Sequence, residues 1–377
     1  MRRTPHHRLF AATLFAASVL APMTPAPATT VHATTLHAPT VRAAGVGRYD
    51  PDDCPPDGLG PELTARLDST IEDVRRQAGI PGVVVGLWMP GRGSYVRATG
   101  IADTATGRPM AVDSYVRIGS ETKTFTVTAL LELVDQHRVG LDDPISAYVD
   151  GVPDGGRITL RQLAEMRSGL FPYTFDPGAA FKYSNTNLVL LGLVVEKVSG
   201  QRLADFVQRR VLRPAHLRRT LFPRGAEFPE PHPRGYTDQT LSGAVEDVTD
   251  WNPSWAWAAG AMISDLQDLR RWAEVVATGR LLSPGTQAER LKTLPTGFPG
   301  TGYGLGIFET NGWIGHNGSI PGYETVTVYL PSQRATLVVM INTDVLSQGQ
   351  EPSTLLARAI TAIATPDNVY AGAVPPH

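Results

Sequence analysis

The 377-residue chain has a single cysteine, Cys54. That excludes an internal disulfide and a zinc site built from cysteines. Lysine is nearly as scarce, with four residues: Lys123, Lys182, Lys197 and Lys292. Charge is almost balanced, 34 Lys+Arg against 36 Asp+Glu, so the basic stripe expected of a nucleic-acid partner is missing. No segment reaches the roughly 20 apolar residues of a membrane-spanning helix. The 37 Gly and 31 Pro follow no period, which excludes a collagen-like chain. No two histidines stand in H-x-x-x-H or H-E-x-x-H spacing, and no G-x-S-x-G occurs. A metallohydrolase helix and an α/β-hydrolase nucleophile turn are both disfavoured. What is present is a 42% hydrophobic composition, ordinary for a globular core, in a chain long enough for one large domain or two lobes.

The first residues read as an export signal. Arg2, Arg3 and Arg8 precede an apolar run from Leu9 to Ala21 that is too short to span a bilayer, and Ala26-Pro27-Ala28 offers a cleavage site. Cutting after Ala28 removes three Arg and takes the net charge from -2 to -5. The expected division is a leader over 1–28, a disordered linker over 29–57 holding Cys54, a catalytic domain over 58–366 and a tail over 367–377. The expected location is extracellular, without a membrane anchor.

Apolar spacing predicts helices over 61–79, 121–136, 160–166, 185–198, 204–211, 265–278 and 352–364. Strands are predicted over 83–88, 94–98, 303–308, 323–330 and 336–341. The order is helix, strands, a long helical stretch, strands, helix. It packs most economically as an α+β fold of two lobes. One antiparallel sheet, flanked by helices, is built from both chain ends; a mainly helical lobe comes from the middle; the active site lies between them.

Three clusters carry chemistry. In Ser120-Glu121-Thr122-Lys123 the hydroxyl and the amine sit one helical turn apart, so the amine can activate the hydroxyl, unless Ser120 is only a helix cap. Tyr183-Ser184-Asn185 opens another helix. A tyrosine beside a lysine ammonium can have its pKa depressed and act as a base, and Asn185 can hold a substrate amide. His316-Asn317-Gly318-Ser319 stands ahead of the 323–330 strand, where Gly318 would allow close substrate approach to a strand edge.

Together the three clusters resemble the S-x-x-K, Y-x-N and basic-x-Gly pattern of the serine β-lactamase/penicillin-binding superfamily. Arg117-Ile118-Gly119, Ser168-Gly169-Leu170, Ala259-Gly260-Ala261-Met262 and Gly302-Tyr303-Gly304-Leu305-Gly306 bring the chain closest to secreted D-alanyl-D-alanine carboxypeptidases related to class C β-lactamases. The resemblance covers about residues 60–365. It implies Ser120 as acylated nucleophile and Lys123 and Tyr183 sharing its proton, either of them the base. It also implies Asn185 on the substrate amide and His316 where β-lactamases place Lys. The backbone N–H groups of Ser120 and Ser319 would form the oxyanion hole, with Gly318 and Trp255 lining the pocket. It implies no cofactor and no metal, and a monomer acting on a small peptide, ester or β-lactam.

Two departures stand out. The stretch between Gly169 and Gly178 is short. Ile307-Phe308-Glu309 occupies the place where a carboxypeptidase can put an arginine for the substrate's terminal carboxylate. The expected activity is D-alanyl-D-alanine carboxypeptidase. An esterase or weak β-lactamase is one alternative, and a penicillin-acylated sensor with little turnover is the other.

Overall fold

The computed structural model describes residues 58–170 and 175–372. The expected leader, the linker with Cys54, residues 171–174 of the short stretch and the last five residues lie outside the described residues. The helices, in chain order, are α1 (Pro61–Gln77), α2 (Thr122–Asp135), α3 (Leu160–Ala164), α4 (Asn185–Ser199), α5 (Leu203–Val207), α6 (Trp257–Gly260), α7 (Leu266–Thr278), α8 (Pro284–Arg290) and α9 (Pro352–Ala364). The strands are β1 (Gly82–Met89), β2 (Gly93–Asp103), β3 (Arg108–Pro109), β4 (Val116–Arg117), β5 (Tyr236–Thr237), β6 (Glu246–Asp247), β7 (Ile263–Ser264), β8 (Leu294–Pro295), β9 (Thr301–Tyr303), β10 (Phe308–Thr310), β11 (Trp313–Ile320), β12 (Tyr323–Leu330) and β13 (Ala335–Ile341).

Nine strands form one sheet in the order β3-β2-β1-β13-β12-β11-β10-β9-β8. Its two chain ends meet where β1 pairs antiparallel with β13, Val83 opposite Ile341. Central strands with both faces covered should be apolar throughout, and β12 and β13 are buried at every position. One face packs on α1 and α9 through Leu67, Ile71, Leu356 and Ile360. The other carries the helical lobe, with α2 and α4 at its centre. The expected α+β architecture of two lobes is the one observed.

Helix α2 is buried on nearly every side, Lys123 included, rather than along one stripe as its apolar spacing suggested. It runs through the middle of the lobe, so no face meets water. The 303–308 strand is not a single strand. Gly304 and Gly306 break it into the hairpin β9–β10, with Phe308 opposite Tyr303. The helix expected over 204–211 ends at Val207 and widens into a π-turn over Gln208–Leu212. The segment set apart as a tail is also part of the domain: Tyr370 is buried, and Trp313 Nε1 donates to the Asn368 carbonyl at 2.6 Å.

Candidate active site

The nucleophile turn is built by tight backbone packing. From β4 the chain bends at Gly119 and makes a single 3-10 turn over Gly119–Glu121 before α2 begins. Gly119 has φ +48, and a Cβ there would lie 2.7 Å from the Ser319 carbonyl oxygen and 2.8 Å from its nitrogen. Only glycine accepts both the conformation and the contact. The turn is thereby pressed against β11, which brings the backbone of Ser319 beside that of Ser120. Helix α2 has no side-chain cap, so Ser120 is not spent on capping.

Lys123 Nζ lies 2.8 Å from Ser120 Oγ and donates to the Ala259 carbonyl at 2.8 Å. Its side chain is fully buried, and burial alone pushes its pKa well below the ordinary lysine range. The amine beside Ser120 therefore gives up its proton more readily than an ordinary lysine, and the free amine can take the proton of the hydroxyl. Tyr183 faces the same pair. Lys123 Nζ stands 4.8 Å from its ring centroid, and Ser120 hydrogen-bonds its hydroxyl. The expected depression of the Tyr183 pKa is reversed. Burial raises it, with the hydrogen bond to Ser120 opposing. Lys123 does not lower it, and Tyr183 keeps its proton.

Asn185 occupies the first turn of α4, exposed rather than packed. Ser184 precedes it as the cap residue without making a side-chain cap bond. The helix is anchored instead by buried Asn187, which accepts from Ser168 Oγ at 2.7 Å and donates to the Leu163 carbonyl at 3.1 Å.

His316–Ser319 does not stop short of a strand. It lies within β11. Strand β10 pairs with β11 only over Trp313–Gly315, so from His316 onward the outer edge of β11 has no strand partner among the described residues. Two expected site residues have other work. Gly318 is filled from behind, not by substrate: a Cβ there would fall 1.9 Å from the Ile118 carbonyl oxygen. His316 is 1% exposed. Its Nδ1–H donates to the Asn317 carbonyl, and Nε2 accepts from the Tyr303 hydroxyl at 3.3 Å. Burial first, and Lys123 second, lower its pKa to about 3, so it is neutral and brings no positive charge. It packs instead among Tyr183, Tyr303 and Phe308.

The cavity over Ser120 encloses about 340 Å³ and gathers Asn185, Trp255, Ser319, Ile320 and Pro321 from elements far apart in the chain. Trp255 is 64% exposed and forms an apolar wall. Asp238, Asp344 and Glu351 also line this cavity, and among the described residues no Lys, Arg or His does. Sequence reasoning missed these three. They come from loops and from the residue before α9, and no local spacing links them to Ser120. In the Ile307-Phe308-Glu309 stretch, Ile307 is buried and Phe308 is buried against His316. Glu309 accepts from the Gly312 N–H at 2.7 Å.

A buried hydroxyl–amine pair, a protonated tyrosine and two neighbouring backbone N–H groups at one cavity amount to an acyl-transfer site. The Beta-lactamase family model matches residues 67–361. The chain belongs to that family, and is a serine hydrolase of the β-lactamase and penicillin-binding type. Its fold matches a D-stereospecific amidohydrolase from Streptomyces sp. at TM-score 0.71 and 30% identity, over 80% of this chain and 99% of that one. It matches a D-amino acid amidase from Ochrobactrum anthropi SV3 at TM-score 0.70 and 26% identity, over 82% and 97%. In sequence it is 27% identical over 316 residues to a D-aminopeptidase of Brucella anthropi, over 74% of this chain and 59% of that protein. The chain thus spans under two thirds of the length of that relative.

Proposed function

We propose that this serine hydrolase cleaves small amides of D-amino acids, as an amidase or aminopeptidase, through an acyl-enzyme on Ser120. Ser120 Oγ attacks the amide carbonyl while Lys123 Nζ takes its proton. The N–H groups of Ser120 and Ser319 hold the oxygen as it becomes negative. Tyr183 gives its proton to the leaving nitrogen and regains one from the Lys123 ammonium. Asn185 orients the substrate, and water then releases the acid and frees Ser120.

The observation that carries this reading over the carboxypeptidase one is the charge of the cavity. Among the described residues its lining holds three carboxylates and no cationic side chain. A peptide ending in a carboxylate would meet like charge, and the stretch where a carboxypeptidase can put an arginine to answer it reads Ile307-Phe308-Glu309. The similarity to amidases and a D-aminopeptidase supports the same direction. Export of the chain we propose on residues 2–28 alone; a mature N-terminus near Thr29 in culture medium is the expected result.

The test is to incubate the purified protein with D-phenylalanine amide and, separately, with an N-acylated peptide ending in D-Ala-D-Ala. Ammonia and D-alanine are followed, with Ser120→Ala as blank. Ser120-dependent ammonia release at the higher kcat/KM is expected. Faster release of D-alanine overturns the amidase reading in favour of a D-alanyl-D-alanine carboxypeptidase.

A further inference from the structure

We infer that Glu351, the residue before α9, receives the α-ammonium of the substrate, and so restricts this enzyme to amides with a free primary amine. The inference rests on the amidase reading above. Of the three carboxylates at the cavity, two are poor candidates. Asp344 has both oxygens engaged: Oδ1 accepts from the Gly322 N–H at 3.0 Å and Oδ2 from Gln239 Nε2 at 2.5 Å. Asp238 is exposed at the rim, where water leaves an ion pair little energy.

Glu351 differs from both. Its Oε2 accepts from Asn317 Nδ2 at 2.7 Å and from Thr354 Oγ1 at 3.3 Å. Its Oε1 accepts no hydrogen bond among the described residues, and the residue lines the cavity with Ser120. The Asn317 bond ties it to β11, the strand whose free edge carries Ser319. One carboxylate oxygen is thus fixed to the site's own scaffold while the other is left for a ligand.

Glu324 stands behind it, 1% exposed. Glu324 Oε2 accepts from the Ser353 N–H at 2.9 Å, and Oε1 has no partner. Burial, then the charge of Glu351, raises the Glu324 pKa well above the carboxylate range. Burial raises the Glu351 pKa as well, but the hydrogen bonds from Asn317 and Thr354 oppose it, so Glu351 is the more acidic carboxyl of the pair. No cation pairs with Glu351 among the described residues. A poorly solvated carboxylate without a counter-charge gains most from a cation that arrives with the substrate. A metal ion does not fit, because no three His, Cys, Asp or Glu among the described residues are grouped to hold one. A primary ammonium fits: it needs one good acceptor and brings one charge. Trp255, Leu346, Ile320 and Pro321 offer an apolar wall to the substrate's side chain.

The experiment compares D-phenylalanine p-nitroanilide with its N-acetyl derivative on the purified wild-type chain, Glu351→Gln and Glu351→Asp, with thermal unfolding to check folding. Glutamine keeps the size and the contacts to Asn317 and Thr354 but not the charge. The wild type is expected to favour the free amine. In Glu351→Gln, KM for the free amine rises by about 10- to 100-fold, the scale of a lost charged hydrogen bond, with a smaller change in kcat. The preference over the N-acetyl compound collapses. Glu351→Asp restores part of it, which a purely structural role would not predict. An unchanged preference in folded Glu351→Gln overturns the assignment and leaves the amidase reading standing. Failure of the wild type on both compounds and on D-phenylalanine amide overturns both.

Discussion

Lys123 Nζ and Ser120 Oγ are 2.8 Å apart, and burial is the sole cause of the shift that lowers the pKa of that amine. A lysine stabilised by a carboxylate would be an ammonium, useful for holding charge but unable to accept a proton. Here α2 runs through the centre of the helical lobe and carries Lys123 away from water, so the helix's position in the fold supplies the base.

Lysine replaced by arginine tests this directly. Arginine keeps the charge and stays protonated, so Lys123→Arg is expected to lower acylation of Ser120 by on the order of 10²- to 10⁴-fold, the range for losing a general base. In the wild type, acylation should rise with pH as Lys123 loses its proton, with a midpoint well below that of ordinary lysine. A pH–rate profile of single-turnover acylation checks both. Activity in Lys123→Arg near the wild-type level would move the base to another group.

Tyr183 is held protonated by burial, which suits it to give a proton rather than to take the first one. Tyr183→Phe is expected to cost on the order of 10²-fold or more in the turnover of amides. The loss should be much smaller for an activated ester, whose leaving group needs no proton. Measured on matched amide and ester substrates, equal losses would place Tyr183 in the attack step instead.

Gly318 and Gly119 let β11 and the nucleophile turn approach within backbone contact. Gly318→Ala would place its Cβ 1.9 Å from the Ile118 carbonyl oxygen, and backbone cannot yield as a flexible side chain can. A destabilisation of about 1–3 kcal/mol is expected, the scale of overpacking, with a lower Tm. Acylation should slow as well, because Ser319 is pushed away from Ser120. Unchanged values of both in a calorimetric and a labelling assay would show that the strand gives way freely.

The legible part of this molecule was local. Helices α1, α4, α7 and α9 declared themselves by apolar spacing, and Ser120 with Lys123 by a separation of three residues that puts both on one side of a turn. Strand β11 was harder to read: Gly315, Asn317 and Gly318 are poor strand formers, and each is tolerated for its own long-range reason, Gly315 by close contact with the Thr327 backbone, Gly318 by contact with the Ile118 backbone, and Asn317 by its bond to Glu351. The reversed pKa of Tyr183 was not readable either, since it depends on how deeply the fold buries that side chain. Glu351 gave no local signal at all, because its meaning comes from a cavity assembled from opposite ends of the chain.

Glu121, next to the nucleophile, is 1% exposed, and neither of its oxygens makes a hydrogen bond of ordinary geometry. Burial raises its pKa from 4.5 to about 8, with Thr325 and Thr327 opposing. Between those two values the unfolded chain has released the proton and the folded chain still holds it. The folded state binds more protons, so this residue lowers stability as pH rises from 4.5 to about 8, by at most about 1.4 kcal/mol per pH unit. Glu121→Gln removes the titration and keeps the shape. It is therefore expected to flatten the pH dependence over that window and to be more stable than the wild type relative to their difference at pH 4.5. Denaturant unfolding of both proteins at a series of pH values measures it, and parallel curves would mean that Glu121 ionises in the fold as it does in water.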